Sequence, residues 1–190
     1  DPAIDVYDNA MFLIALDYLL EMAPDSPQAP RWRSLREGIA KNVRTHLWDE
    51  KRQKFIPHIY PEKSPIPEGF DELAIHYHGG TAVAIEAGLL TEDEKRTVNA
   101  QMLENVRLSG MSSIGLTLYP VYPDGFFHGG MSKAYLYQNG GDWTWFGGRM
   151  IQQLVVNGMV EEAYAEIHPM IERVIQNNGF YEWYGKGGIP

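Results

Sequence analysis

Apolar residues recur at the three-to-four-residue spacing of a helix along almost the whole chain. Between Ile4 and Met22 they fall at Met11, Ile14, Ala15, Tyr18 and Leu19, which marks one face of a helix. The Pro and Ser residues of Pro24 to Pro30 end that pattern in a loop. From Arg31 to Leu47, Trp32, Leu35, Ile39, Val43 and Leu47 share one face and the basic residues take the other. That predicts a one-sided, exposed helix. Trp48 to Ile56 reads as a short β-hairpin with a charged tip.

A Pro-rich loop from Pro57 to Gly69 then leads to a third helix, expected over Leu73 to Ala87 with Gly88 as its stop. Thr91 and Glu94 form a capping box that opens a fourth helix, Glu92 to Leu108. The segment Gly110 to Tyr137 is rich in Gly, Pro and aromatics. A loop of that length inside a domain is usually functional or carries small strands. A fifth helix is expected over Trp143 to Val156, stopped by Asn157-Gly158. A sixth is expected over Val160 to Gln176, stopped by Asn178-Gly179, with Pro169 placed to kink it.

These elements form three helix pairs. In each pair the first helix is the more apolar or aromatic and the second is charged on one face. Asp8, Asp71 and Asp142 mark the starts of the first helices, a period of roughly 60 to 70 residues that exceeds the common solenoid repeats. Buried inner helices alternating with amphipathic outer ones predict an all-α fold, an α/α toroid or solenoid with short β-hairpins and long aromatic loops. In a ring of this kind the inner helices are parallel and their N-terminal ends share a rim. That rim would gather Tyr7, Asp8, Asn9, His76, His78, Gln138, Asn139, Asp142, Trp143 and Trp145.

Composition narrows the function classes. The net charge is -9, and no basic stripe is visible, which argues against nucleic acid as a partner. No run approaches the ~18 apolar residues of a membrane span. The chain has no cysteine, so disulfides and thiolate metal sites are excluded and the compartment stays open.

The densest chemistry lies in Tyr137 to Trp145, YQNGGDWTW, where two indoles, a phenol, a carboxylate and two amides surround a Gly-Gly pair. Flat aromatic faces stack on sugar rings, planar amides and carboxylates bind neighbouring hydroxyls, and the glycines allow a tight turn. Convergent polar groups in an aromatic cleft suggest a ligand site. The competing reading is a Trp-rich helix start that fills a core.

Glu182 sits in GFYEWY, an aromatic setting that can desolvate a carboxylate, or it is a loop Glu beside core aromatics. Asp8 either binds hydroxyls or stabilises the helix dipole. Asp142 either caps a helix or points into the cleft. His76 and His78 diverge on a helix, and His58 and His128 lie in loops, so no metal site is expected. One of His76 and His78 on the rim could donate to a sugar hydroxyl; a satisfied core histidine is the other reading. The Gly pairs match no phosphate or dinucleotide motif, and no cofactor is implied.

YQNGGDWTWFGGRMIQQLVVNGMVEEA resembles the late hairpin of six-hairpin glycosidases with (α/α)6 barrels, the branch with amylo-α-1,6-glucosidase (glycogen-debranching-like) and trehalase-like domains. VYDNAMFLIALDYL is similar to that family's Asp-led inner helix, HLWDEKRQKFIPHIY to its Leu-Trp-Asp-Glu hairpin, and NNGFYEWYGKGGIP to its Gly-x-x-Glu segment. The chain departs from the pattern at Thr144, where Pro is commoner, and at Asp142, where a neutral residue is usual.

The resemblance implies a glycoside hydrolase of the inverting kind, acting on a neutral oligo- or polysaccharide. Glu182 would be its general base. Asp8, Asn9, His76, His78, Tyr137, Gln138, Asn139, Asp142, Trp143, Trp145 and Trp183 would bind substrate. Three helix pairs where a barrel needs six imply a single, C-terminal-side portion of a larger domain, with an open apolar flank able to self-associate. A sugar epimerase or polysaccharide lyase, with His76, His78 or Tyr137 as acid and base, and a non-catalytic glycan-binding helical repeat remain the alternatives.

Overall fold

Asp5 opens the first helix. Its side chain accepts a hydrogen bond from the Asp8 amide (2.9 Å), which satisfies one of the unpaired donors of the first turn. Helix α1 then runs Val6–Met22. The helix starts later than the apolar pattern implied because Ile4 pairs instead with Ile59 in an antiparallel bridge. The structure, a computed structural model, describes residues 3–127 and 133–188. His128, Gly129 and Gly130 lie outside the described residues.

Helix α2, Ala29–His46, has Pro30 at its start, where the missing amide costs nothing. The expected hairpin follows as β1 (Trp48–Asp49) and β2 (Lys54–Phe55), with Trp48 opposite Phe55.

The third helix corrects the sequence reading. Residues Glu72–Ala74 form a 3₁₀ turn, His76–Tyr77 form strand β3, and helix α3 occupies only His78–Glu86. Strand β3 pairs with β4, Leu118–Tyr119, through His76 with Tyr119 and Tyr77 with Leu118. That long-range pairing holds the backbone extended where the apolar spacing implied helix, so Asp71 does not mark the start of α3. Once begun, α3 is buried from His78 to Ile85. A Cβ at Gly79 would lie 2.7 Å from the Phe146 ring, and one at Gly80 would lie 2.5 Å from Val6. The glycine pair therefore lets this backbone approach both neighbouring inner helices.

Helix α4, Glu92–Ser109, starts at the expected capping box. The Glu94 amide donates to Thr91 Oγ1 at 3.3 Å, and the Thr91 amide donates to Glu94 Oε2 at 2.8 Å. Strand β5 (Asp142–Trp143) leads into α5 (Thr144–Val156), followed by α6 (Val160–Gln176) and strand β6 (Trp183–Tyr184). The sixth helix runs through Pro169 without ending.

Helices α1, α3 and α5 pack side by side with α3 in the middle, and α2, α4 and α6 back them in turn. Three helical hairpins result, as expected for an α/α toroid. Their shared core joins Leu13 and Ile14 of α1, Val83 and Ile85 of α3, Met150 and Leu154 of α5, and Met170 of α6. Residues at the N-terminal ends of all three inner helices line one cavity, so these helices run parallel. Among the described residues no helix is long and apolar enough to cross a membrane.

The two outer flanks of this row remain apolar. Phe12, Leu19 and Met22 are exposed along α1, and Tyr164, Ile167, Ile171 and Ile175 are exposed along α6. Their spacing of three, four and seven residues puts each set on a single helix face.

Candidate active site

Three local devices bring side chains to the common rim. The Asp5 cap fixes the first turn of α1, so that Asp5, Tyr7 and Asp8 face inward. Strand β3 holds Tyr77 at the start of α3. The β5–β6 ribbon sets Trp143 opposite Trp183 at the start of α5. Beside that ribbon the Thr144 amide donates to the Glu182 carbonyl (3.2 Å), and Thr144 Oγ1 donates to the Tyr181 carbonyl (2.9 Å). These bonds tie the Glu182 segment, remote in sequence, to the first turn of α5.

The resulting cavity has a volume of about 860 Å³ and is lined by Asp5, Tyr7, Asp8, Tyr77, Gln138, Trp143, Thr144, Trp145, Phe146, Phe180, Tyr181 and Glu182. Its wall is a chain of edge-packed rings. Trp145 and Phe146 lie 4.9 Å apart, Tyr7 and Phe146 6.2 Å, and Tyr7 and Trp145 6.4 Å. Such edge-to-face contacts hold rings rigidly. Trp143 is 8% exposed and Trp145 is 45% exposed. The Trp143 indole N–H is already spent on the Tyr137 carbonyl at 2.9 Å. Trp145 is thus the more exposed of the two indoles, and the Arg149 guanidinium lies over its ring, 4.8 Å from the centroid.

Three carboxyl groups share this rim: Asp5, Asp8 and Glu182. Burial raises the Asp5 carboxyl above its usual range, the cap bond from Asp8 opposes that rise, and the Asp8 charge adds to it. The apolar pattern implies a helix from Ile4 onwards, which puts Asp5 inside it and hides its capping role. The available signal was an Asp three residues before another acidic residue, at a capping position.

Tyr7, Asp8, Gln138, Trp143, Trp145 and Glu182, among the residues singled out from sequence, line this cavity. Asn9, His76, His78, Tyr137, Asn139, Asp142 and Trp183 do not. Asn9 Nδ2 donates to the Asp5 carbonyl (2.7 Å), and Asn9 lines a separate groove with Ile39 and Leu47. Tyr137 packs its ring on Trp143 and Trp183 at 4.8 and 6.0 Å, supporting the wall from behind.

His76 is half-buried on β3, where burial and then the charge of Lys54 push it down to about 4. His78 is 1% exposed, and its Nε2 lies 2.9 Å from Asn105 Nδ2. Burial, followed by His76, pushes it down to about 3, so it is the neutral core histidine. Asn139 is buried and bonds both backbone groups of Tyr122 at 2.8 and 3.1 Å. Asp142 is fully buried; it accepts from the Ser113 amide and hydroxyl (2.9 and 2.6 Å) and pairs with Arg173 at 2.6 Å. Its carboxylate neither caps α5 nor reaches the cavity. Among the described residues no three His, Asp or Glu side chains converge as a metal site.

The fold has relatives among solved structures. The chain matches a GH63 mannosylglycerate hydrolase from Thermus thermophilus in complex with Tris and D-glycerate, with a TM-score of 0.68 at 16% identity. The same hydrolase in complex with Tris matches with a TM-score of 0.65 at 14% identity. An uncharacterized conserved protein from Thermus thermophilus matches at 0.69 with 15% identity. Each match covers 98% of this chain and 41%, 41% and 44% of the respective other chain. No protein-family model matches the sequence, and no curated protein matches it. The chain therefore shares the fold of those proteins over a span equal to less than half of their length.

Proposed function

We propose that this chain is one side of a larger α/α ring that hydrolyses glycosidic bonds in a neutral glycan, with Glu182 as the general base. The observation that carries this reading is the cavity of about 860 Å³ at the N-terminal ends of the inner helices, which combines aromatic faces with Asp5, Asp8 and Glu182. Sugar rings present flat C–H faces and paired hydroxyls, and aromatic walls with carboxylates and an amide complement both. The fold shared with a mannosylglycerate hydrolase supports the reaction class.

Hydrolysis with inversion needs one carboxyl to protonate the leaving oxygen and one carboxylate to activate water on the opposite face. Glu182 is exposed and lines the cavity, where it would take the proton of that water. Trp145 would stack on the sugar, with Gln138 and Asp8 binding its hydroxyls. The epimerase or lyase reading loses its histidines, since neither His76 nor His78 lines the cavity.

The test is a panel of α-linked oligosaccharides and glycosides with the full-length protein, with the anomer of the released sugar followed by NMR. Release of the inverted anomer is expected. Binding without turnover would favour a glycan-binding domain, and a double bond or an epimer in the product would favour the alternative enzymes.

A further inference from the structure

A second cavity, of about 560 Å³, lies beside the first and includes His58, Tyr60, Tyr122, Phe126 and Phe127 in its wall. Its polar side chains share one partner. Glu72 Oε1 is 2.8 Å from His58 Nδ1 and accepts from the Tyr60 hydroxyl at 2.7 Å and the Tyr122 hydroxyl at 2.6 Å. Burial opposes ionisation of Glu72, yet the bonds from His58, Tyr122 and Tyr60 hold it below the usual carboxylate range. Burial and then Glu72 raise both phenols well above their ordinary value. The phenols therefore keep their protons and spend them on an ionised carboxylate. With Nδ1 of His58 likewise turned to Glu72, the phenol oxygens keep lone pairs free as acceptors.

Phenol oxygens whose protons are already spent favour a ligand that donates, and hydroxyl groups do so. The ionised Glu72 and a chain charge of -9 disfavour an anion. The remaining wall is aromatic: Phe126 stacks on Tyr122 at 4.8 Å and Phe127 meets it edge-on at 5.0 Å. Flat faces beside hydroxyl acceptors complement a pyranose ring.

The two cavities are lined by neighbouring residues. The His58 ring is 6.4 Å from the ring of Tyr77, which lines the first cavity. Ala3 lines the second cavity and Asp5 the first, and Ile4 between them is pinned to Ile59.

We propose that this second cavity is a further sugar subsite, holding a neutral sugar residue of the same glycan whose reacting end lies in the first. The proposal rests on the glycosidase reading of the first cavity, but separate reporters distinguish the two. Ring resonances of His58 report the second cavity, and the indole N–H resonance of Trp145 reports the first. D-Glucose, D-mannose and their α-linked disaccharides are titrated into the protein while both are followed by NMR.

Movement of both signals by the disaccharides, with Tyr60→Phe weakening the affinity read at His58 by roughly 3- to 10-fold, is the expected result, the size being that of one lost hydrogen bond. A sugar that moves His58 and leaves Trp145 still would support the second site and undercut the reading of the first. Movement of Trp145 alone would overturn the second site, as would an unchanged affinity in Tyr60→Phe. A response of His58 to tetramethylammonium and to none of the sugars would also overturn it, since the rings and carboxylate would then be a cation site. The wild-type titration needs no substitution, so a poorly folding variant leaves the test intact.

Discussion

Arg173 of α6 reaches Asp142 at the start of α5 with Nη1 2.6 Å from Oδ2, and the two residues are 4% and 0% exposed. The same guanidinium lies 3.9 Å from the Tyr184 ring centroid. One buried cation thus ties the outer helix, the Ser113 loop and the β5–β6 ribbon that carries Trp143 and adjoins Glu182. Removing one partner of such a pair leaves the other charged and uncompensated. Asp142→Asn should destabilise the protein by about 3 kcal/mol in urea unfolding. Stability within 1 kcal/mol of wild type, a figure typical of exposed pairs, would show that the pair contributes as a surface ion pair does.

Glu166 supplies a pH dependence. It is buried between α6 and α4, where Asn99 Nδ2 donates to it at 2.9 Å. Burial pushes its carboxyl up from 4.5 to about 7, with Asn99 opposing and Glu162 adding. Between those values the folded chain holds a proton that the unfolded chain has lost, so stability falls as pH rises. The contribution is fully present below 4.5 and gone above about 7, on the order of 3 kcal/mol. Glu166→Gln should flatten the stability profile over this window and stabilise the protein at pH 8. A profile unchanged by the substitution would remove Glu166 as its source.

Glu182→Gln keeps shape and one acceptor but cannot take a proton at neutral pH. In the full-length enzyme it should lower kcat by roughly 10² to 10⁴ and leave sugar binding nearly unchanged. Trp145→Ala should instead raise KM more than it lowers kcat, because stacking holds ground state and transition state alike. Wild-type turnover in Glu182→Gln would remove it from the mechanism.

Gly80→Ala should destabilise by about 1 to 3 kcal/mol, the usual cost of overpacking a filled interior. Its methyl would meet Val6 at 2.5 Å in the contact between α3 and α1. Gly148, whose Cβ would meet nothing within 4 Å, is the control. Replacing it with Ala should be neutral or stabilising in thermal melts.

The exposed apolar stripe of α6 should drive self-association of this chain. Tyr164 is 67% exposed and Ile175 is 71% exposed. Sedimentation velocity should show concentration-dependent association that Ile171→Glu with Ile175→Lys abolishes. A wild-type monomer at all concentrations would mean that these side chains stay solvated.

Sequence alone determined the elements whose signals are local. Helix α6 occupies Val160–Gln176 as its period implied, and α4 begins at the Thr91–Glu94 box. The hairpin at Trp48 was legible for the same reason, since caps, tight turns and helical periodicity act within a few residues. The aromatic concentration around Trp143 and the GFYEWY segment also pointed to the rim that Trp145 and Glu182 now share.

Tertiary structure decided what depended on distant partners. Residues His76 and Tyr77 became a strand only because Leu118 and Tyr119 lie beside them. Asp142 went to Arg173 and Ser113 instead of to the cleft, and His78 went to Asn105 in the core. Glu72 gathered His58 and Tyr60 from one segment and Tyr122 from another. A polar side chain taken out of water must find a hydrogen-bonding partner. The partners in these cases lie tens of residues away, so the folded chain, and not the local pattern, settles which groups remain free for a ligand.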